Sequence, residues 1–279
     1  MSASWLAHPI VATVAVPATV ALLITMVTLR LSIQIRFVAP VALGLAVAAS
    51  AGALLGITVD PVSVNEKFVW VAALAGVVGA GVARATPHQA RLFVALFIIA
   101  IGLWLFGGWS GRGLSVISII VGLTILNTLL TWHAMRRLRY ENTPAETIVI
   151  AVVIIGVLAV ATGSLIIGQL GVAIAVAMSV VLATLRWIRD PNVGAGFAFC
   201  AVSLAGFVLL MAVILSRLGV VTALILSLTF FLDHLVPDRS AWRRWWARLG
   251  LKIGVALVLG CVAFWVNQIL GAGEDPYYE

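Results

Sequence analysis

The chain has 279 residues, of which 63% are hydrophobic and 10% are charged, and its mean hydropathy is +1.19. Soluble domains are about half apolar, so this composition excludes a water-soluble protein and indicates an integral membrane protein. The formal net charge is +7, but the cations lie between apolar runs, which favours anionic lipid headgroups over nucleic acid as their partners.

The sequence predicts an all-α, polytopic membrane bundle of about ten transmembrane helices with short loops. An apolar run of about 20 residues crosses the hydrocarbon as a helix, and such runs follow one another along the chain. The predicted spans, numbered in chain order, are 9–29, 38–57, 68–84, 91–108, 113–135, 145–164, 169–187, 194–215, 218–236 and 248–270. We expect a single transmembrane domain over 1–279. Ten spans also allow a division into two halves of five spans each, 1–135 and 145–270, as in transporters that are built from inverted repeats.

Spans 1 and 3 carry residues that affect helix geometry. Span 1 has no Lys or Arg before its apolar run, so we expect a retained helix rather than a cleaved signal, and Pro17 should free a carbonyl one turn earlier and kink it. In span 3, the small residues Gly76, Gly79, Ala80 and Ala83 follow one another at the spacing of a helix face. Small residues in that pattern predict close helix packing.

The lengths of two apolar runs require each run to be divided into two spans. Residues 145–188 and 193–236 form long, nearly uninterrupted apolar runs. One helix over either run would measure about 66 Å, twice the hydrocarbon thickness. We therefore predict turns at 163–171 and 216–219.

Polar stripes on spans 5 and 9 are the candidate substrate-binding residues. The stripe on span 5 contains Thr124, Asn127, Thr128 and Thr131, and the stripe on span 9 contains Thr222, Thr229 and Asp233. They predict a polar vestibule open to the cytoplasm, whereas the alternative is hydrogen bonding between helices alone. Asn267, Gln268 and Gln169 are weaker candidates of the same kind.

The connection before span 10 predicts an amphipathic helix lying in the membrane interface at about 239–248. Trp242, Trp245, Trp246 and Leu249 share one stripe, while Arg243, Arg244 and Arg248 point elsewhere. The tryptophans would lie at headgroup depth and the arginines would contact anionic lipid. A regulatory or partner-docking role is the alternative.

The loop charges predict the topology. Successive connections between spans lie on opposite sides of the membrane. Fourteen of the 17 cations, from Arg30 to Lys252, lie in the connections of one side, and only Lys67, Arg112 and Arg217 lie in those of the other side. Cytoplasmic loops retain Lys and Arg, so this asymmetry predicts a multi-pass protein of the cytoplasmic (inner) membrane with both termini outside.

Few residues suggest chemistry. The carboxylates lie in loops or at span ends, the four histidines lie near the interfaces, and Cys200 and Cys261 form no paired-cysteine pattern. Nucleotide-binding, serine-hydrolase and zinc-protease motifs are absent, so we expect no catalytic residues, no metal and no cofactor. By elimination the sequence predicts a permease for a small or amphiphilic substrate. The alternatives are a non-catalytic membrane subunit or assembly factor and an intramembrane lipid-modifying enzyme, the latter requiring spans 5 and 9 to meet at His133, Asp233 and His234.

Overall fold

The computed structural model describes residues 8–31, 34–107, 113–140, 145–187, 193–235 and 245–271. Across these ranges every regular element is helical and no strand occurs. The all-α prediction is therefore confirmed.

The helices follow the apolar runs closely. A π-helical segment, Val11–Ala15, leads into α1. The α-helices are α1 (Val16–Arg30), α2 (Ile35–Leu55), α3 (Val64–Arg84), α4 (Pro87–Leu105), α5 (Leu114–Tyr140), α6 (Ala145–Ala161), α7 (Leu165–Trp187), α8 (Gly194–Leu215), α9 (Val220–Ser227), α10 (Leu232–Leu235) and α11 (Trp245–Gly271). A 3₁₀ turn, Leu228–Phe231, joins α9 to α10.

Eight helical segments in the described residues are long and apolar enough to cross a membrane. They are Val11–Arg30, α2, α3, α4, Leu114–Leu138 of α5, α7, α8 and Ala247–Leu270 of α11. Two further apolar segments, Ala145–Ala161 and Val220–His234, are shorter. The chain is thus a multi-pass helical membrane protein, and the count of ten spans stays a prediction.

The second long apolar run is interrupted at 216–219, as predicted, whereas the break in the first, at 162–164, overlaps only the start of the predicted turn 163–171. The first breaks between Ala161 and Leu165, where Gly163 has a φ of +100° that favours glycine. The second breaks between Leu215 and Val220. Because α6 packs directly against α7, the first run forms an antiparallel helical hairpin.

Helix α8 lies at the centre of the bundle. It packs against α2, α3, α5, α6 and α7, and 89% of its apolar window is buried. The corresponding share for the other seven long segments lies between 22% and 56%. The other helices therefore shield α8 from lipid.

Glycines allow the central helices to approach closely. A Cβ built on Gly44 of α2 would lie 2.6 Å from Cα of Gly76 on α3. A Cβ on Gly196 of α8 would lie 2.2 Å from the carbonyl oxygen of Gly79 and 3.0 Å from Cβ of Ala83. The small residues of α3 thus pack against α2 and α8, as their spacing predicts.

The irregular start of the first span lies beside Pro17. The backbone N–H of Val16 bonds to the carbonyl of Val11, which is the wider π spacing. At the same five-residue spacing the N–H of residue 17 would bond to the carbonyl of Ala12. Residue 17 is a proline and has no N–H, so that carbonyl lacks a backbone partner. The Ser50 hydroxyl of α2 donates to that carbonyl at 2.6 Å. The carbonyl freed by the proline thus becomes a contact between the first two spans.

Candidate functional site

The polar stripe of α5 is buried against α8. The Asn127 Nδ2 donates to the carbonyl of Ser203 on α8 at 3.2 Å, and the Thr131 hydroxyl lies 3.4 Å from Asn127 Oδ1. Thr124 and Thr128 donate to carbonyls of their own helix, at Ile120 and Thr124. The cavity beside Asn127 measures about 10 Å³, at the lower limit for holding one water molecule. These bonds support the alternative that the stripe joins two helices.

Thr222, at the start of α9, belongs to a second and separate cluster. Its hydroxyl lies 3.3 Å from Oδ1 of the buried Asn267 on α11, and the backbone N–H of Gly219 donates to the same oxygen at 2.7 Å. The Asn267 Nδ2 donates to the carbonyl of Arg217 at 3.1 Å. Asn267 thus attaches the connection between α8 and α9 to α11, at the end of α9 remote from Asp233.

The segment after α9 loses its regular helical form at Thr229. The Thr229 hydroxyl donates to the carbonyl of Leu226 at 2.5 Å, and the backbone N–H of Leu232 bonds to the carbonyl of Thr229. A 3₁₀ stretch within a helix often marks a hinge. The helical segment from Val220 to His234 is therefore continuous, with one 3₁₀ turn just before Asp233.

Asp233 and Lys252 form a buried ion pair. The Lys252 Nζ lies 2.5 Å from Asp233 Oδ1, and their side chains are 8% and 13% exposed, respectively. The Thr147 hydroxyl of α6 donates to Asp233 Oδ2 at 2.9 Å. One carboxylate therefore joins α6, α10 and α11.

Lys252 is buried, which the loop charges did not indicate. They counted Lys252 with the cations of the basic cytoplasmic connection, whereas in the structure it lies in the second turn of α11 and only 6% of the residue is exposed. A count of loop charges assigns each cation by chain position and says nothing of its burial, and the side of the membrane on which Lys252 lies stays a prediction. Lys252 is a member of the buried polar site.

Helices α5 and α10 meet beside this pair. The ring centroids of His133 and His234 are 5.4 Å apart, and His133 also lies 4.6 Å from the Phe231 ring. The Arg137 Nη1 lies 3.4 Å from His234 Nε2. Asp233 and this histidine pair thus lie at one end of the bundle. In the described ranges, no group of three or more His, Cys, Asp or Glu residues is arranged to hold a metal ion.

Sequence reasoning missed three partners in these clusters. Thr147 lies near the start of span 6, Ser203 contributes a backbone carbonyl, and Lys252 was counted with the cations of the preceding connection although it lies within the predicted span 248–270. Only Lys252 gave a usable signal, because a cation inside a predicted span is costly without a partner. The carbonyl of Ser203 has no sequence signature at all.

Half of the six predicted lipid-interface residues lie outside the described residues. Trp242, Arg243 and Arg244 fall within 236–244, which the structure does not describe. Trp245 and Trp246 begin α11, which continues without a break to Gly271, and Arg248 is half-buried in its first turn. The interfacial helix over 239–248 therefore stays a prediction.

The Asp233 site combines opposite charges, a hydroxyl and a nearby histidine pair at the end of a helical segment that contains a 3₁₀ turn. Such a site can bind a polar ligand or exchange the partner of a buried charge. Comparisons with protein-family models, with characterised proteins and with solved structures find no match to this chain.

Proposed function

We propose that the chain is a small polytopic permease of the cytoplasmic membrane that moves or flips a small or amphiphilic substrate. The observation that carries the proposal is the buried Asp233–Lys252 pair beside the 3₁₀ turn that joins α9 to α10. Ionisable residues inside a membrane are costly and commonly mark substrate or ion pathways.

The energetics of the pair favour a functional role over a structural one. Replacing a buried ion pair with apolar residues of similar volume is often neutral or stabilising. Stability alone therefore does not account for two nearly buried opposite charges at 2.5 Å. A 3₁₀ turn inside a helix often marks a functional hinge, and the turn Leu228–Phe231 lies directly before Asp233. A change of partner at Asp233 would couple ligand binding to movement of α10 against α11.

Ten spans with both termini outside belong to the same proposal. Helix α6 has 17 residues, or about 26 Å, against a hydrocarbon thickness of about 30 Å. Local thinning of the bilayer or flanking polar residues accommodate such a mismatch at modest cost. With α6 and the α9–α10 segment counted as spans, the Asp233 site lies toward the cytoplasmic side.

The transport test uses a charge-neutral double variant. Asp233→Asn with Lys252→Met removes both charges and keeps a side-chain acceptor for Thr147. The matched control is Glu146→Gln with Arg186→Gln, which removes a more exposed pair whose side chains are 29% and 63% exposed. Proteoliposomes carrying a fluorescent phosphatidylglycerol analogue report flipping by dithionite quenching. Metabolite profiles of producing cells and of their medium report movement of small solutes.

We expect the wild type and the control to share an activity in at least one of these assays, and the Asp233 variant to lose it while remaining folded. Equal behaviour of all three proteins and of empty membranes would overturn the permease proposal. The same preparations test topology, since a reporter placed after residue 163 should be exposed outside the cell.

A second candidate is a non-catalytic membrane subunit or assembly factor, and one face of α11 favours it. An open groove of about 580 Å³ runs along this face, lined by Ala247, Gly250, Leu251, Gly254, Val255 and Val258. A Cβ on Gly250 or Gly254 would meet no atom within 4 Å, and glycines four residues apart are typical of contacts between membrane helices. Purification in mild detergent with a stoichiometric partner, lost on Gly250→Leu, would support this candidate.

The third candidate is an intramembrane lipid-modifying enzyme. It requires the ends of spans 5 and 9 to meet, and His133 and His234 do meet. Chemical analysis of the lipids in the same proteoliposomes tests it, because a new lipid species that needs His133 would identify an enzyme.

A further inference from the structure

A cleft of about 270 Å³ lies between the start of α4 and the second half of α5. Its lining residues are Pro87, Ala90, Arg91, Trp132, His133, Met135 and Arg136. Among the described residues the lining mixes two arginines and a histidine with apolar side chains and includes no acidic residue. Such a lining suits a ligand that has both an anionic and an apolar part.

The two arginines of the cleft retain their binding capacity. In the described portion of the chain, neither Arg91 nor Arg136 has a carboxylate within ion-pair distance, and both are exposed. The indole Nε1 of Trp132 is buried and has no hydrogen-bond acceptor among the described residues. The N-terminus of α4, capped by Thr86 and Gln89, adds a partial positive charge at the edge of the cleft.

The cleft lies where charged surface gives way to apolar surface. The residues of α4 that follow Arg91 include the exposed Leu92, Phe93 and Leu96, which are 59%, 49% and 57% exposed. In a membrane protein such a surface faces lipid tails, and arginines at its edge lie at headgroup depth. A lipid whose tails cover Leu92 and Phe93 would place its headgroup beside Arg91.

We propose that this cleft is a binding site for the phosphate headgroup of an anionic membrane lipid. Arg91 and Arg136 supply the charge-assisted hydrogen bonds to the phosphate oxygens, and His133 borders the headgroup. The acyl chains leave along the exposed apolar residues of α4. The cleft shares His133 with the Asp233 site but contains neither member of the ion pair. Lipid binding here does not depend on transport.

The experiment counts bound lipids on the full chain by native mass spectrometry. Dioctanoyl phosphatidylglycerol and dioctanoyl phosphatidylcholine are titrated separately in the same detergent. The cleft variant is Arg91→Gln with Arg136→Gln. The matched control is Arg36→Gln with Arg84→Gln, because both arginines pack on the ring of Phe37 and removing them changes the net charge equally.

We expect phosphatidylglycerol to bind more tightly than phosphatidylcholine, and the cleft variant to lose roughly 30-fold in affinity for it, the combined effect of two cations near an anionic headgroup. The control should retain its affinity to within about threefold, the scatter expected of a charge change outside the cleft. Equal losses in both variants would show a general effect of surface charge and overturn the proposal. Displacement of the lipid by millimolar inorganic phosphate would overturn it too, since the ligand would then be a soluble anion.

Discussion

A double-mutant cycle on Asp233 and Lys252 tests whether their contact is a coupled buried pair. Removing one partner of such a pair typically costs about 3–5 kcal/mol, because the other charge stays buried without compensation. Lys252→Met leaves Asp233 with the Thr147 hydroxyl and a 13% exposed side chain, so we expect a loss near 3 kcal/mol. Asp233→Asn leaves an ammonium group that is 8% exposed, and we expect a loss nearer 5 kcal/mol.

The stability of the double variant shows whether the two charges are coupled. Asp233→Asn with Lys252→Met has no buried charge at this site, so we expect its stability to lie within about 1–2 kcal/mol of the wild type. The measurement is thermal unfolding in one detergent, where about 2 °C of Tm accompanies each kcal/mol in a chain of this size. The single variants should therefore lose about 6 and 10 °C and the double variant less than either. Losses that add within about 0.5 kcal/mol in the double variant would refute the coupling.

Three further predictions concern packing and topology. Gly206→Ala places a Cβ about 2.1 Å from the Asn127 side chain, so we expect a loss of about 1–3 kcal/mol, measured as a lower Tm. Ser50→Ala removes the donor to the Ala12 carbonyl and should cost about 1–3 kcal/mol in the same assay. Alkaline phosphatase fused after residue 163 should be active, because the ten-span layout places that turn outside the cell.

Each of these has its own control. Gly122→Ala should leave Tm unchanged or raise it slightly, because nothing lies within 4 Å of the added Cβ. Pro17→Ala restores a backbone N–H, so adding it to Ser50→Ala should recover much of the stability that Ser50→Ala loses. If the double variant is no more stable than Ser50→Ala, the Ser50 hydroxyl does not compensate for the missing N–H of Pro17. An inactive phosphatase fusion with a fluorescent GFP fusion at the same position would mean that α6 does not cross the membrane.

The boundaries of the helices could be predicted because apolar length is a local property. Residues 194–215 were predicted as a span, and α8 covers Gly194–Leu215. The break after Leu215 followed from the geometric limit on one helix in one bilayer. These features depend on a few consecutive residues and on the thickness of the hydrocarbon, and neither requires knowledge of the neighbouring helices.

The site could be predicted only in part because its contacts join distant residues. The stripe from Thr124 to Thr131 was recognised, but its partner is the backbone of α8, which no pattern in the sequence marks. Asp233 was recognised as polar, but its partner Lys252 was counted with the cations of the connection before span 10. Hydropathy reports how polar a residue is, and the choice of partner depends on which helix faces meet.

The central position of α8 has a consequence for how the protein is assembled. Among the eight long segments of the described residues, α8 has the highest mean hydropathy and the largest buried share. Few of its apolar side chains therefore contact lipid in the folded bundle. That hydrophobicity is needed earlier, when the nascent segment must leave the translocon and enter the bilayer as a single helix. The neighbouring helices then displace the acyl chains around it, using the close approach at Gly196 and Gly206.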